Sequence, residues 1–412
     1  MSQGAGAAPA PATGRWRALA LICGAVVLSM TPWFSATAIL PELTARWHLD
    51  EAAASWLTIA VQLGFVTGAL GLTITGLADR VRMQRLIGMA AALAAAANLI
   101  LLVAPGPATA IASRLLTGAA LAGVYPPAMK LVTTWFVAGR GLALGFVIGA
   151  LTLGSAFPHL IRAASAGFDW RIVVIATSGF AALSALLLGA VAREGPHGYA
   201  QTTFRLGDLR RIVLNKPLML ANTGYFGHMW ELYAMWGWFL AFLSGALALS
   251  GTGSPVLTSA ATFAVIAAGA IGCVAGGWMA DRIGRTATTA LMMGISGGCA
   301  AMIGFVYAGP LWLLLIVALV WGVTIVADSA QFSAMVTELA DRSLVGTALA
   351  FQMGVGFGLT IISLRLMPSV AGWLGSWQWA FLVLVPGPAI GTAAMLALRR
   401  LPEANRIGGG RR

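Results

Sequence analysis

Charged residues are scarce in this chain of 412 residues, of which 9% are charged and 59% are hydrophobic. A soluble globular domain carries about 25% charged residues, so the composition excludes an ordinary soluble domain and predicts a multi-pass membrane protein. Cysteine is also scarce: Cys23, Cys273 and Cys299 are the only three. Their odd number and their spacing exclude a disulfide framework and fit no metal or redox motif.

Several motifs are missing as well. The sequence has no G-x-x-x-x-G-K-[ST] phosphate loop, which argues against an ATP-driven motor, and no H-E-x-x-H zinc motif. His228 and Glu231 are spaced like half of a metal site, but no second His-rich segment completes it. We therefore expect no metal, no cofactor and no enzymatic activity. The net charge of +12 lies in short loops, where it indicates membrane topology rather than nucleic-acid binding.

Long apolar runs dominate what remains. About 20 apolar residues are needed to cross roughly 30 Å of hydrocarbon, and the sequence contains twelve such runs. The predicted fold is therefore an all-α membrane protein with twelve transmembrane helices. The predicted spans are residues 17–40, 52–74, 86–104, 108–136, 141–163, 172–192, 217–245, 254–279, 287–307, 311–337, 345–366 and 377–398.

The basic residues orient these spans. With the N-terminus placed in the cytoplasm, 19 Lys and Arg residues fall in inside segments and 3 in outside segments, as the positive-inside rule requires. We expect both termini on the cytoplasmic side of the cytoplasmic membrane. The predicted organisation is a tail (1–16), six spans (17–192), a cytoplasmic linker (193–216), six spans (217–398) and a second tail (399–412).

Two loops repeat each other. The loop 76–82 after span 2 is echoed by the loop 277–285 after span 8, and Asp79 and Asp281 are 202 positions apart (281 − 79). The segment Pro32-Trp33-Phe34 is echoed by Gly237-Trp238-Phe239 at an offset of 205 (237 − 32). Two echoes at nearly one offset predict two pseudo-symmetric six-helix bundles. Many secondary transporters have this architecture, with the substrate site between the halves.

The second loop resembles the G-x-L-A-D-R-x-G-R element of the major facilitator superfamily, and the resemblance extends over essentially the whole chain. The loop 277–285 departs from that element only at Met279, whereas the first copy differs at three positions: Thr75, Arg82 and Met83. The resemblance implies a conformational latch between helix ends. The implied latch residues are Asp79, Arg80, Asp281, Arg282, Gly284 and Arg285.

Two further resemblances bear on the activity. The segment from Arg114 to Gly118 resembles the family's R-x-x-x-G element, which implies proton coupling. Span 5 lacks the Gly-Pro pair of the antiporter signature, which argues against a drug/proton antiporter. The segment 123–127, followed by Trp135-Phe136, resembles permeases for small anions of the cyanate, nitrate or organophosphate kind.

Ionisable residues inside the membrane are expensive and usually functional. The family resemblance implies that spans 1, 4, 7 and 10 line a central cavity. Spans 4, 7 and 10 carry most of the intramembrane charge. The residues are Arg114, Lys130, His228, Glu231 and Asp328.

Helical periodicity places these residues on polar faces. At about 100° per residue, polar and aromatic residues form one stripe on each of spans 1, 7 and 10, which suits a small wet cavity. The stripes are Ser29, Trp33 and Thr37; Gly224, His228, Glu231, Met235 and Trp238; and Trp321, Thr324, Asp328, Gln331 and Met335.

Glu231 is the expected proton carrier or substrate ligand, because a carboxylate in a medium of low dielectric constant can exchange a proton near neutral pH. His228, one turn away, can tune it or relay the proton. The aromatic residues Trp230, Tyr233 and Trp236 are expected to stack on the substrate or block the pathway. The structural alternatives are a bond from Glu231 to Arg114 or His228, and simple packing of the aromatic side chains.

Span 4 leaves a choice open. Arg114 and Lys130 lie about 160° apart around the helix, so we do not expect both to face one pocket. Arg114 shares a face with Tyr125 and is favoured for the cavity, whereas Lys130 lies nearer the cytoplasmic end and can snorkel.

The sequence thus predicts a secondary active transporter that works by alternating access. The favoured substrate is a small organic or inorganic anion, moved together with protons. A proton-coupled exporter of amphipathic cations and an uncoupled uniporter remain alternatives. The expected partners are a small-molecule substrate, protons and the lipid bilayer; the protein is expected to be monomeric and not to bind nucleic acid.

Overall fold

The structure, a computed structural model, describes residues 14–136, 139–165, 169–197, 206–341 and 343–411, without the side chains of residues 51, 78, 79 and 206. Within these ranges the chain is helical and contains no strand. Eleven of the described helices are long and apolar enough to cross a membrane. The prediction of an all-α membrane fold is confirmed.

The first half contains ten α-helices and a short π-helix at Leu187–Val191. The α-helices are α1 (Arg15–Met30), α2 (Ser35–Ala38), α3 (Leu40–Trp47), α4 (Glu51–Thr75), α5 (Leu77–Arg80), α6 (Met83–Val103), α7 (Pro107–Leu121), α8 (Tyr125–Thr133), α9 (Arg140–Ala164) and α10 (Arg171–Leu186).

The rest of the chain begins with a 3₁₀ turn at Leu206–Asp208, which precedes the short helix α11, and has further 3₁₀ turns at Ile303–Val306, Ala380–Leu384 and Pro402–Gly410. Its α-helices are α11 (Leu209–Val213), α12 (Lys216–Leu249), α13 (Pro255–Ile283), α14 (Arg285–Met302), α15 (Leu311–Ala327), α16 (Ser329–Leu339), α17 (Val345–Leu374) and α18 (Pro386–Arg399).

The first predicted span is interrupted, which corrects the expectation of one continuous helix over 17–40. Helix α1 ends at Met30 and turns occupy residues 31–34 before α2 begins. Pro32 explains the interruption, because proline has no N–H to donate and its ring clashes with the preceding helical turn. This span is not among the eleven candidates, because neither α1 nor α2 is long enough alone.

Two more predicted spans contain a break near their middle. Span 4 divides into α7 and α8 around residues 122–124, and span 10 divides into α15 and α16 at Asp328. Broken helices at membrane depth are tolerated where the irregular backbone is buried in protein. In each broken span a predicted functional residue lies at or beside the break: Trp33, Tyr125 and Asp328.

The helices pack in corresponding pairs in the two halves. In the first half α4 lies against α7, and in the second half α13 lies against α15. Both contacts depend on glycine: a Cβ on Gly118 would overlap the carbonyl oxygen of Val61, and a Cβ on Gly276 would overlap that of Ala327. Small residues allow such close backbone approach in membrane helices. Between the halves, α9 packs on α13 and α4 packs on α17.

Candidate functional site

A cluster of buried aromatic rings lies between the two halves, and we call it the central aromatic cluster. The rings of Trp33 and Tyr233 are nearly parallel, with centroids 5.7 Å apart and planes 24° apart. Phe34 stacks on Tyr233 at 6.3 Å and 18°. The first half contributes three rings and the second half three: Trp33, Phe34 and Phe65, and Tyr233, Trp236 and Phe357.

The break in the first span brings two of these rings to the interface. Because α1 stops at Met30, Trp33 and Phe34 lie in the turn that faces α12. On α12, Tyr233, Trp236 and Gly237 form the face turned toward the first half, and a Cβ on Gly237 would be 3.5 Å from the methyl group of Thr58. Trp33, Tyr233 and Trp236 were predicted as site residues, and the structure brings all three together.

Glu231 points elsewhere. Its position is about 200° around α12 from Tyr233, so its carboxylate faces the interior of the second half. Oε1 accepts a hydrogen bond from the indole of Trp321 at 2.7 Å, and Oε2 accepts one from the hydroxyl of Ser296 at 2.7 Å. The predicted stripe on span 7 thus exists but turns away from the interface. The alternative bonds to Arg114 and His228 are not those that the structure shows.

His228 and Asp328 form a separate buried pair. Nδ1 of His228 lies 2.9 Å from Oδ1 of Asp328, and both side chains are at most 2% exposed. Asp328 is the residue at which span 10 breaks between α15 and α16. The pair therefore ties α12 to the break. The two residues lie on separate predicted stripes, those of spans 7 and 10, and the sequence did not predict that they pair.

The side chain of Trp230 packs and forms its hydrogen bond within the second half. Its indole N–H donates to the carbonyl of Val383 at 3.0 Å, and its side chain contacts Gly387 of α18 closely enough to exclude a Cβ there. Trp230 therefore takes the packing role that the sequence left as an alternative, rather than a place in the central aromatic cluster.

Arg114 is wholly buried inside the first half, which differs from the expectation that it faces the cavity. Its Nη2 donates to the carbonyls of Pro32 and Trp33, and its Nη1 donates to Oδ1 of Asn98 at 2.8 Å. The carbonyl of Trp33 accepts no backbone hydrogen bond among the described residues because the helix breaks there, whereas that of Pro32 also accepts from Ser35. The guanidinium thus stabilises the break from behind the central aromatic cluster.

The acceptors of Arg114 belong to a larger polar network. Asn98 donates to the hydroxyls of Thr177 and Ser178 at 3.1 and 2.9 Å, and Ser35 donates to Asn98 at 2.7 Å. Every acceptor of Arg114 is neutral, and no carboxylate within the described ranges lies at ion-pair distance. A guanidinium is always protonated in proteins, so this buried charge has no counter-charge beside it.

The other two candidates on span 4 are less buried. Tyr125 is the first residue of α8 and is half-buried, and Lys130 lies in the last turn of the same helix and is also half-buried. The position of Lys130 fits the expectation that it extends toward the helix end. Neither residue belongs to the central aromatic cluster.

The predicted latch loop of the second half reaches the first half. Oδ1 of Asp281 would be 3.8 Å from a Cβ on Gly141, in the first turn of α9. A carboxylate near a helix N-terminus interacts favourably with the helix dipole. Arg282 instead lies over the ring of Trp278, 3.5 Å from its centroid. In the first copy Arg80 is exposed, and the side chain of Asp79 lies outside the described ones.

The remaining latch residues join the loop to the C-terminal segment. Arg285 donates to both oxygens of Glu338, at 3.2 and 2.9 Å, and to Oε1 of Gln331 at 2.8 Å. Gly284 has a φ of 94°, which favours glycine at that position. The backbone N–H of Gly408 also donates to Glu338, at 3.0 Å. Gln331, predicted as a pathway residue, thus belongs to this ionic contact.

A second contact between the halves lies at the predicted outer end. Arg162 of α9 donates to Oε1 of Glu42 from Nε at 3.0 Å and from Nη2 at 2.8 Å, and its Nη1 donates to the hydroxyl of Ser259 on α13 at 2.8 Å. The sequence analysis missed Glu42 and Ser259, as it missed Ser296, because nothing in a single sequence distinguishes them from other loop and span residues.

Among the residues that the structure describes, no group of three His, Cys, Asp or Glu side chains is placed to hold a metal ion. Many polar groups of the interior, including Arg114 and Glu231, form hydrogen bonds to other side chains or to the backbone. The arrangement consists of a buried aromatic cluster between two helical halves, with a polar contact between the halves at each end.

The comparisons agree with this architecture. The model of the Major Facilitator Superfamily matches residues 22–364, which is most of the chain, and this protein therefore belongs to that family. Together with its apolar helices, this makes it a multi-pass membrane protein.

Three curated relatives are similar in sequence. They are an MFS-type transporter pytF of Aspergillus terreus (26% identical; 42% of this chain and 58% of that one), a probable actinorhodin transporter of Streptomyces coelicolor (27%; 42% and 30%) and the niacin transporter NiaP of Acinetobacter baylyi (24%; 64% and 65%). The matched part of this chain spans less than two thirds of each relative.

Two crystal structures are similar in fold. Both are of a bacterial homologue of the human lysosomal transporter Spinster in an inward-facing conformation. The occupied form has a TM-score of 0.67 at 14% identity and covers 96% of this chain and 98% of that one. The unoccupied form has a TM-score of 0.64 at 13% identity, with coverages of 94% and 95%. At such identity the likeness shows the fold alone.

Proposed function

We propose that this protein is a secondary active transporter that moves a small organic anion together with protons by alternating access. The observation that carries the proposal is the central aromatic cluster, which lies wholly between the halves and is enclosed at both ends. In transporters built from two repeats the substrate lies at the interface of the repeats, and one half rocks against the other.

The contacts at the two ends support alternation. Arg162 and Ser259 join the halves at the predicted outer end, and Asp281 approaches Gly141 at the predicted cytoplasmic end. Each contact involves few groups and is distant from the other along α9. One contact can therefore open while the other stays closed, which is the requirement for alternating access.

The buried charges favour an anion. Arg114 supplies a permanent positive charge without a neighbouring carboxylate, and it contacts the backbone of Trp33 in the cluster. Both oxygens of Glu231 accept hydrogen bonds from neutral donors, and Asp328 is paired with His228. When Glu231 holds a proton, the interior contains one negative charge fewer, and the positive charge of Arg114 is balanced less.

This arrangement couples the anion to the proton. A proton on Glu231 makes the interior more positive and so strengthens anion binding, and by linkage a bound anion strengthens proton binding to the same degree. Movement of both together is the result. The curated relatives named for niacin and for actinorhodin support an organic rather than an inorganic substrate.

The test is uptake of labelled organic anions into vesicles that contain the purified protein, with and without an inward proton gradient. Protein-free vesicles correct for passive passage of undissociated acids. We expect uptake above that background, increased by the gradient. Gradient-independent uptake would indicate a uniporter, and proton-driven movement of amphipathic cations but not of anions would indicate an exporter; either result would contradict anion–proton symport.

A further inference from the structure

Three polar side chains around the central aromatic cluster lack partners. Within the described residues the indole N–H groups of Trp33 and Trp236 and both amide atoms of Gln62 have no hydrogen-bond partner. All three residues are at most 2% exposed. Buried polar groups in native proteins are nearly always paired, so three orphans around one cluster call for a ligand that pairs with them.

Gln62 belongs to the same surface as the rings. On α4 it lies one turn after Thr58, which shares a hydrogen bond of 2.8 Å with Thr37. It lies three residues before Phe65, which packs on Trp33 with centroids 4.9 Å apart. Residues three and four apart share a helix face, so Gln62 is turned toward the cluster.

Neighbouring tryptophans show that an unpaired indole is not a general feature of this helix. Trp238 is two residues after Trp236, and its indole N–H donates to the carbonyl of Leu364 at 2.9 Å. Trp230, on the same helix, donates to Val383. The unpaired indole is the one whose ring belongs to the central aromatic cluster.

The hydrogen-bonding chemistry of the unpaired groups indicates the class of ligand. Indole N–H groups only donate hydrogen bonds, so their partner must accept. A carboxylate accepts at both oxygens, whereas an ammonium group only donates and would leave both indoles unpaired. The face of Tyr233 that packs against Trp33 of the other half becomes free when the halves separate, so a flat aromatic ring can stack on it.

We propose that the substrate is an aromatic carboxylic acid, which binds as its anion with its ring stacked on Tyr233. Its carboxylate accepts hydrogen bonds from the indoles of Trp33 and Trp236 and from the amide of Gln62. This inference rests on the proposed function, since it names the substrate class for the same interface. The oxygen of Gln62 remains available for a donor on the ring.

The first experiment measures binding by the shift of the thermal unfolding midpoint, with benzoate, cyclohexanecarboxylate and benzylamine as probes. These probes separate the aromatic ring from the carboxylate and from the cation. A ligand that binds only the folded protein raises the unfolding midpoint. We expect benzoate to raise it most, because only benzoate has both the aromatic ring and the carboxylate. Equal stabilisation by cyclohexanecarboxylate, no stabilisation by benzoate, or preference for benzylamine would each overturn the proposal.

Variants locate the binding groups. The change Trp236→Phe keeps a ring but removes the N–H, and we expect it to weaken benzoate binding about tenfold, as for one hydrogen bond to a charged acceptor. The matched control is Trp238→Phe, which removes a paired N–H from the same helix. It should lower the unfolding midpoint and leave the benzoate dissociation constant unchanged.

Gln62→Met distinguishes a ligand site from a structural one. If the amide is unpaired in the free protein, methionine at this position raises the unfolding midpoint without benzoate and weakens benzoate binding. If the amide instead binds only a structural water, the same change lowers the midpoint and leaves benzoate binding unchanged. The second pair of results would overturn the proposal.

The proposed function and the substrate class fail in different ways. Vesicles that take up cyclohexanecarboxylate with protons as well as they take up benzoate would preserve anion symport and overturn the aromatic specificity. In a second case, vesicles take up no anion, but benzoate still stabilises the protein and Trp236→Phe still weakens benzoate binding. That result would support the binding site and contradict the proposed transport activity.

Discussion

Arg162 donates a hydrogen bond of 2.8 Å from Nη1 to the hydroxyl of Ser259, and this bond joins α9 of the first half to α13 of the second. The other N–H groups of the same guanidinium are held by Glu42 within the first half. Arg162 is therefore already oriented when it meets Ser259. Closure at this end adds one charge-assisted bond without having to order a free side chain.

The first prediction is that Ser259→Ala opens the predicted outer end more often. Removing a hydrogen bond to a charged group costs about 1.5–3 kcal/mol, so a cysteine placed at Ser165 should react about ten- to hundredfold faster with a membrane-impermeant maleimide. Ser165 lines a cavity of about 30 Å³ beside Arg162. The native cysteines are replaced in this background.

Thr258→Val is the control for that prediction. Thr258 is buried on the same helix, but its hydroxyl donates to the carbonyl of Ser254, the residue that precedes α13, and not to the first half. Its replacement should leave the labelling rate at position 165 unchanged. Equal acceleration by both changes would mean that α13 is loosened as a whole, and the role assigned to Ser259 would be wrong.

The second prediction concerns the other end of the interface. Asp281→Asn removes a charge beside the N-terminus of α9, an interaction worth about 0.3–1 kcal/mol, and should increase opening toward the predicted cytoplasmic side about two- to fivefold. Cys273 is a natural reporter, because it is buried on α13 with its sulfur 3.9 Å from the hydroxyl of Thr152 on α9. Its alkylation rate measures the separation of the two helices.

Asp208→Asn is the matched control for the latch. Among the residues that the structure describes, the ion-pair partner of Asp208 is Arg211, three residues away at 3.5 Å. We expect no change in the alkylation rate of Cys273 in this variant. A rate that is also unchanged in Asp281→Asn would mean that the loop sets topology without closing the interface.

The third prediction is that Glu231→Gln separates substrate binding from proton coupling. Glutamine retains the shape and still accepts from Trp321 through its oxygen, but it cannot carry a proton. Exchange of labelled anion across the vesicle membrane should persist, whereas accumulation driven by a proton gradient should be lost. Gradient-driven accumulation equal to that of the parent protein would assign Glu231 a purely structural role.

Trp321→Phe tests the carboxylate from the other side. It removes the donor to Oε1 and leaves Ser296 as the donor to Oε2. An unpaired oxygen on a buried carboxylate costs about 1–3 kcal/mol when it is ionised. We therefore expect the unfolding midpoint of this variant to fall as the pH rises, more than it does in the parent protein.

The sequence was sufficient for the fold and for part of the site. Apolar runs, charge asymmetry and the repeated loops predicted a helical membrane protein, and periodicity placed Glu231 and His228 on one stripe. Periodicity gives the face of a helix but not the direction in which the packed helix turns that face. Glu231 consequently faces Ser296 and Trp321 rather than the interface.

Arg114 illustrates a second limit. Its partners include the backbone carbonyls of Pro32 and Trp33, which are accessible to a side chain because α1 ends at Met30. Backbone acceptors have no signature in the sequence, so hydropathy identified a buried cation but not its role. Pro32 was the available signal for the break. A proline inside an apolar run marks the place where carbonyls need donors from another helix.

The fourth prediction follows from that role. Arg114→Lys keeps the positive charge but replaces a planar set of donors by a single ammonium group, which cannot reach both carbonyls and Asn98 together. Each buried acceptor left unpaired costs about 1–3 kcal/mol. We expect a lower unfolding midpoint without benzoate and a weakened response to benzoate, because Trp33 loses its fixed position.

The outcome that would contradict this role is a protein with unchanged stability. If Arg114→Lys unfolds at the parent's midpoint and loses only anion binding, Arg114 contacts the substrate directly and does not act through the break. Asn98→Ala serves as a companion variant, because it removes an acceptor of Arg114 without altering charge. It should lower the midpoint in the same way.

The fifth prediction concerns the packing that holds the first half together. A Cβ on Gly118 would overlap the carbonyl of Val61 on α4, whereas a Cβ on Gly179 of α10 meets no atom within 4 Å. Gly118→Ala should therefore destabilise the protein by about 1–3 kcal/mol, as overpacking does. Gly179→Ala should be neutral or stabilise by up to about 1 kcal/mol, because alanine favours helix. Thermal unfolding of the two variants compares them directly, and equal midpoints would mean that α4 and α7 lie farther apart than the structure places them.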